Sequence, residues 1–202
     1  MSVFDYSDPQ KHELLCVRSK TVIAELTQLS EVDTSRIADT RPTHLFLFDG
    51  MAIPGFEACV GNYRTTRGDP VLHCEVCFGT HNGAPPNEVE QRIDELRTKI
   101  RTQYRLLKSH KFASEEAFLF HLAKYAARII YDFIMIHPYC DGNGHISRYL
   151  LFAIVMPEGY TPYRWRIHPR PTSEYIEAMK ASSPTDLGKL INLIIDDLVP
   201  ID

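Results

Sequence analysis

Between Ser114 and Ile136 the apolar residues Phe118, Leu122, Ile129, Ile130 and Phe133 recur on one broad helical face, and the run stops at His137-Pro138. Apolar positions over so wide an arc belong to a helix buried in an interior. Ser114, with Glu116 in the first turn, opens it. Proline lacks an N–H and disfavours helical geometry in the residue before it, so the chain must turn where this helix ends. The helix therefore delivers His137 to its own C-terminus, where the dipole is expected to raise the affinity of the imidazole for its proton. At 202 residues the chain has the length for one or at most two domains around such a core.

The turn that follows reads Tyr139-Cys140-Asp141-Gly142-Asn143-Gly144, and a second apolar run, Ile146, Leu150, Leu151 and Ile154, begins directly after it. A glycine-rich turn feeding a helix N-terminus leaves backbone N–H groups aimed outward, which together with the helix dipole favour an anion such as phosphate. Asp141 at the mouth of the turn is a candidate magnesium ligand. Arg148, four residues after Gly144, returns to the same helix face, where a planar guanidinium can clamp phosphate. His137 is the natural general base for a hydroxyl. Together these parts describe phosphoryl or nucleotidyl transfer to an alcohol. Each also has an ordinary reading: a common turn, an N-cap aspartate, a core histidine and a surface arginine.

The stretch resembles the Fic-family pattern His-x-Phe-x-(Asp/Glu)-Gly-Asn-Gly-Arg-x-x-Arg, with Tyr139 in place of Phe and His145 in place of the first Arg. Gly61-Asn62-Tyr63-Arg64, Pro85-Pro86 and Gly159-Tyr160-Thr161-Pro162 are similar to stretches flanking that family's flap and motif helix, so the likeness covers roughly residues 40 to 200. The resemblance implies a mainly α, Fic-like helical domain with a small β-hairpin flap. It implies an enzyme that transfers AMP from Mg-ATP to a Ser, Thr or Tyr hydroxyl of a target protein (AMPylation). His137 would deprotonate the hydroxyl and Asp141 would hold Mg2+. Gly142, Asn143 and Gly144 would form the anion hole, with His145, Arg148 and Tyr175 completing the nucleotide site. The target would dock on the flap, about Val71 to Ala84, by adding a strand. Thr21-Val22-Ile23-Ala24-Glu25 is similar to an inhibitory Ser/Thr-x-x-x-Glu stretch, although Leu26 follows where Gly or Asn is usual. Glu25 is thus a candidate inhibitory residue or an ordinary helix carboxylate, and an inhibitory partner protein is a further expected partner. An imidazole at position 145 cannot supply a bidentate phosphate clamp. A different phosphate donor, or a non-catalytic module that binds a nucleotide or partner, therefore stays open.

The remaining chain is consistent with this plan. A net charge of -4 and a sequence pI near 6.1 argue against a nucleic-acid-binding surface spread over the protein. An odd number of cysteines fits a reducing compartment, and the lone Cys74-x-x-Cys77 is a weak zinc signal. The first ten residues have no basic and apolar leader pattern, and the longest apolar stretch is broken by Asp132, so neither signal peptide nor membrane span is expected. The expected location is cytoplasmic, in its own cell or in one to which it is delivered as an effector. Helices are expected over residues 10 to 31, in a short piece after Arg41, over Pro86 to Leu107, from Thr172 to Ser182 and from Asp186 to Leu198. A hairpin is expected within Val71 to Ala84, and Tyr160 to Trp165 reads as irregular. The expected division is an N-terminal helical segment over 1–39 and a Fic-like catalytic domain over 40–202.

Overall fold

The computed structural model describes residues 2–169 and 173–201. Among them the chain forms eight α-helices and two small two-stranded sheets. α1 (Pro9–Leu26) is capped by the Asp8 carboxylate, which accepts from Gln10 N, and starts on a proline. α2 (Thr34–Ala38) is capped by Asp33, and α3 (Arg41–Phe48) follows at once. α4 (Val89–Ser109) buries Val89, Ile93, Leu96, Ile100, Tyr104 and Leu107, the expected face, and starts three residues later than Pro86 because Pro85 to Glu88 close a turn first.

α5 (Glu115–Ile136) is the buried helix the sequence calls for. Ser114 accepts from Ala117 N as its N-cap, and Glu115 and Glu116 sit at the positive end of its dipole. It packs against α4, α6 and α8. α6 (Asn143–Val155) is buried on nearly every side, so its apolar residues surround it instead of forming one stripe. α7 (Ser173–Ala181) and α8 (Gly188–Ile195) complete the bundle. The expected start of α7 at Thr172 lies outside the described residues. One continuous apolar core runs from Val3 to Ile194, and α1 and α2 pack into it beside α3, α4 and α6. No described helix is long and apolar enough to cross a membrane.

Four expectations are corrected. Val71 does not begin a strand: Pro70–His73 is a 3-10 turn in which the Asp69 carboxylate accepts from Val71 N. Local capture of a backbone N–H by Asp, next to proline, outweighs the β-propensity of the run. The hairpin is confined to β1 (Cys77–Phe78) paired with β2 (His81–Asn82). Tyr160–Pro162 is not irregular but strand β3, antiparallel to β4 (Leu198–Pro200), so the last helix stops at Ile195 and Leu198 is extended. Pairs that short carry no readable alternation, and only the closing of the chain brings them together. The first helix also ends earlier, at Leu26, with Leu29 in the turn beyond.

If α5 is the organising element, Ile129→Ala, at a site with no exposure, should cost about 3 kcal/mol. Leu106→Ala, at 63% exposure on α4, should stay within about 0.5 kcal/mol. Urea denaturation of the two variants checks this.

Candidate active site

At the end of α5 the backbone carbonyls need donors that the helix cannot supply. Arg64 supplies them. Its Nε donates to His137 O at 2.8 Å, and one terminal nitrogen donates to Ile136 O at 3.1 Å and Ala84 O at 2.8 Å. The other donates to Cys74 O at 3.1 Å, while Arg64 N donates to Pro138 O. His137 itself takes the left-handed conformation, φ 53, the single non-glycine residue with positive φ among those described. Such a conformation is strained and persists only where the surroundings dictate it. Gly83 is part of those surroundings, because a Cβ there would lie 2.9 Å from His137 Cβ and 3.0 Å from the Arg64 guanidinium.

The His137 Nδ1 lies 3.2 Å from Ile134 O. A carbonyl can only accept, so Nδ1 carries the proton and Nε2 is left as the basic nitrogen. The expected rise in pKa at the helix end does not occur. Burial, helped by the nearby Arg64 charge, lowers the His137 pKa and outweighs the Ile134 carbonyl and Asp141, which act the other way. His137 is thus a neutral acceptor at pH 7.

The turn between α5 and α6 is clamped from inside. The Asn143 side chain accepts from Tyr139 N at 2.9 Å and donates to Tyr139 O at 2.8 Å. Its amide therefore holds the loop, and only its backbone N–H is left for an anion. Gly142, the N-cap of α6, has φ 78, and a Cβ on it would come within 2.6 Å of the Phe48 ring. Below it His44 accepts from Gly61 N on Nδ1 at 2.9 Å, so Nε2 carries the proton donated to Asp141 O at 3.1 Å. Burial lowers the pKa of His44 to about 4, which keeps that bonding pattern neutral. No side chain caps α6. Its first N–H groups thus face the space above Gly144, where an added Cβ would meet only the Arg148 guanidinium, at 3.4 Å.

Arg148 is buried. Nε donates to Arg166 O and Ile167 O, and Nη2 to Ile167 O at 2.6 Å, so the guanidinium is tied to the loop after β3 with Nη1 beside Gly144. His145 Nε2 lies 3.1 Å from His168 Nδ1, and its ring is stacked on Tyr6. Tyr175 shares a hydrogen bond with Ser147 of α6 at 2.8 Å and packs edge-on against Trp165. Cys74 Sγ and Cys140 Sγ are 2.8 Å apart, and the hydrogen bond with Cys140 lowers the Cys74 pKa to about 7. Cys74 therefore faces the motif turn, while Cys77 is exposed on β1.

The N-terminal segment is part of the site, which nothing in the sequence pattern announces. The Asp141 carboxylate accepts from Ser2 Oγ at 2.6 Å, Val3 N at 3.1 Å, Phe4 N at 3.4 Å and Tyr6 Oη at 3.4 Å, as well as from Gly142 N at 2.7 Å. Phe4 stacks on Phe48, and Asp5 N and Val3 O bond to the 51–53 backbone. A carboxylate whose oxygens face five donors is satisfied as a hydrogen-bonded anion, not arranged as a cation ligand. Asp141 does not fit magnesium while Ser2 to Tyr6 cover it.

His137, Asp141, Gly142, Asn143, Gly144, His145, Arg148 and Tyr175 all line one cavity of about 630 Å³, roofed by Glu75 to Gly79 of the flap and closed at one side by Ser2 and Tyr6. Its size suits a nucleotide-sized ligand. The sequence profile of the Fic/DOC family matches residues 40–155, over the whole of this turn and the helices on either side. The chain belongs to the Fic/DOC family.

Two mosquito proteins named protein adenylyltransferase Fic are similar to it over 83 residues, at 36% identity in Aedes aegypti and 32% in Culex quinquefasciatus. Each match spans 41% of this chain and 16% of the relative. The crystal structure of BepC, a VirB-translocated Bartonella effector protein from Bartonella tribocorum with bound AMPPNP, shares the fold. Its TM-score is 0.61 at 16% identity, over 96% of this chain and 90% of that one.

Two elements suggested by the Fic resemblance stand apart from the expected arrangement. Glu25 is half exposed and ion-paired with Arg36 of α2, in a separate cleft with Asp33 and Thr43. Arg36 is the partner this structure gives it. The flap offers a strand edge only at Cys77–Phe78 and His81–Asn82, because Val71 to His73 are folded into the 3-10 turn. The residues that sequence reasoning missed are Ser2 to Tyr6 and His44. Neither lies in a recognisable pattern, and both act through contacts distant in sequence.

A chain shortened to begin at Ser7 keeps α1 and exposes Asp141. It should bind Mg2+ at least about tenfold more tightly than the whole chain by calorimetry, a difference of about 1.4 kcal/mol. Asp141→Asn should abolish the gain.

Proposed function

We propose that this chain is a Fic-type nucleotidyltransferase that moves AMP from ATP to a Ser, Thr or Tyr hydroxyl of another protein. One observation carries the reading: the basic Nε2 of His137 and the uncapped N-terminus of α6 open onto the same 630 Å³ cavity. The hydroxyl oxygen attacks the α-phosphorus, its proton passes to His137 Nε2, and the bond to the β-phosphate oxygen breaks to release pyrophosphate. The α6 N–H groups at Asn143 and Gly144 and the Arg148 guanidinium neutralise charge on the phosphates. With Asp141 engaged by the N-terminal segment, neutralising the phosphate charge falls to these groups. The target segment reaches the base along the short flap edge, which faces the cavity at Cys77 and Phe78.

The same covering of Asp141 favours a second reading, in which the cavity holds a nucleotide without turning it over. Incubation with ATP labelled at the α-phosphate separates the two. Transfer of label to protein should occur and should drop by about a hundredfold or more in His137→Ala. Nucleotide binding without label, in the whole chain and in the chain beginning at Ser7, would leave the binding module.

Because the neutral form of His137 is the base and its pKa is lowered from 6.5, transfer should be level above about pH 6.5 and fall only as pH drops through the lowered value. A kcat/KM profile that instead rises through pH 7 to 8 would remove His137 from this role.

A further inference from the structure

Outside the nucleotide cavity, His12, Cys16 and His168 bring one ligand atom each to within 4.8 Å of one another. His12 and Cys16 are four residues apart on α1 and so leave the same face of the helix. His168 comes from the loop after β3, directly beyond the Arg166 and Ile167 carbonyls that hold Arg148. The His12 and His168 rings meet edge-on with centroids 4.5 Å apart.

Two further facts separate this cluster from a chance grouping. His168 Nε2 is buried and has no hydrogen-bond partner among the described residues, a condition that buried polar atoms rarely tolerate. Its other nitrogen, Nδ1, lies 3.1 Å from His145 Nε2. An imidazole with one nitrogen open and the other hydrogen-bonded is the arrangement that metal-ligating histidines adopt. Two imidazoles and a thiol, with no carboxylate, suit a borderline-soft ion of the zinc class and not magnesium or calcium.

We propose that His12, Cys16 and His168 form a binding site for a zinc-class divalent ion, with a fourth position open to water. On binding, the Cys16 thiol loses its proton to solvent and a metal–sulfur bond forms. No oxidation or reduction is involved. Bonds of about 2.3 Å to sulfur and about 2.1 Å to nitrogen draw the three ligand atoms closer than they stand here. His12, exposed on the helix, is free to swing inward.

The ion has two consequences for its neighbours. With Nε2 on the metal, His168 carries its proton on Nδ1 and donates it to His145 Nε2, which sets the His145 tautomer. Zinc with one thiolate leaves a net positive charge behind the imidazole that stands where the Fic pattern has its first arginine. The ion also ties α1 to the loop that holds Arg148. The site stands whether or not the chain transfers AMP.

The test uses the whole chain, stripped with a chelator under reducing conditions and titrated with Co2+. One equivalent should produce the sulfur-to-cobalt charge-transfer absorption, and Zn2+ should displace it. Cys16→Ser should lose the absorption with unchanged circular dichroism. His12→Ala should weaken cobalt binding by at least roughly tenfold, the smallest loss typical of disturbing a metal ligand's surroundings. Cys74→Ser should leave the absorption intact. Absence of the band, its survival in Cys16→Ser, or its loss in Cys74→Ser, which would move the metal to Cys74 and Cys140, overturns the proposal. Should Cys16→Ser fail to fold, an unchanged affinity in His12→Ala does the same.

Discussion

The guanidinium of Arg64 ties the end of α5 to both roots of the flap. Arg64 is 1% exposed, and a charge in that position is stable only with a full set of acceptors. The end of α5 has the opposite need, carbonyls without donors. Each satisfies the other: Arg64 binds the carbonyls of Ile136, His137, Ala84 and Cys74. The same contacts anchor both roots of the flap and pin the strained backbone of His137. His137, the turn and the hairpin are thereby joined through one side chain.

On the other side of the cavity, the segment Ser2 to Tyr6 covers Asp141. Ser2 to Tyr6 contribute donors to Asp141 and a ring to His145, and they are anchored by backbone contacts to 51–53, by the burial of Val3 and Phe4 in the core and by the stacking of Phe4 on Phe48. The turn beneath Asp141 keeps its shape through Asn143 and His44, whatever covers the carboxylate above it. The turn and its cover are thus held by different interactions.

Much of this could be read in the chain before folding. The breadth of the apolar face in α5, the Ser114 cap and the His137-Pro138 stop located the buried helix and its exit almost to the residue. The glycine-flanked turn was equally legible, since Gly142 has both a positive φ and no room for a Cβ. Other residues had readable identities but unreadable roles. Asn143 clamps Tyr139 with its side chain, Tyr175 supports Ser147, and Glu25 pairs with Arg36. The pKa of His137 is lowered, opposite to the helix-end expectation, because burial, which depends on packing, outweighs the Ile134 carbonyl and Asp141.

Periodicity, caps and turn chemistry are local, so the sequence by itself determined the helices, the glycine-flanked turn and the residue types available there. Tertiary structure alone decided which distant groups meet: the N-terminus on Asp141, β4 on β3, and His12 and Cys16 beside His168. Those encounters depend on how whole elements pack, and no pattern within a few residues of chain encodes them.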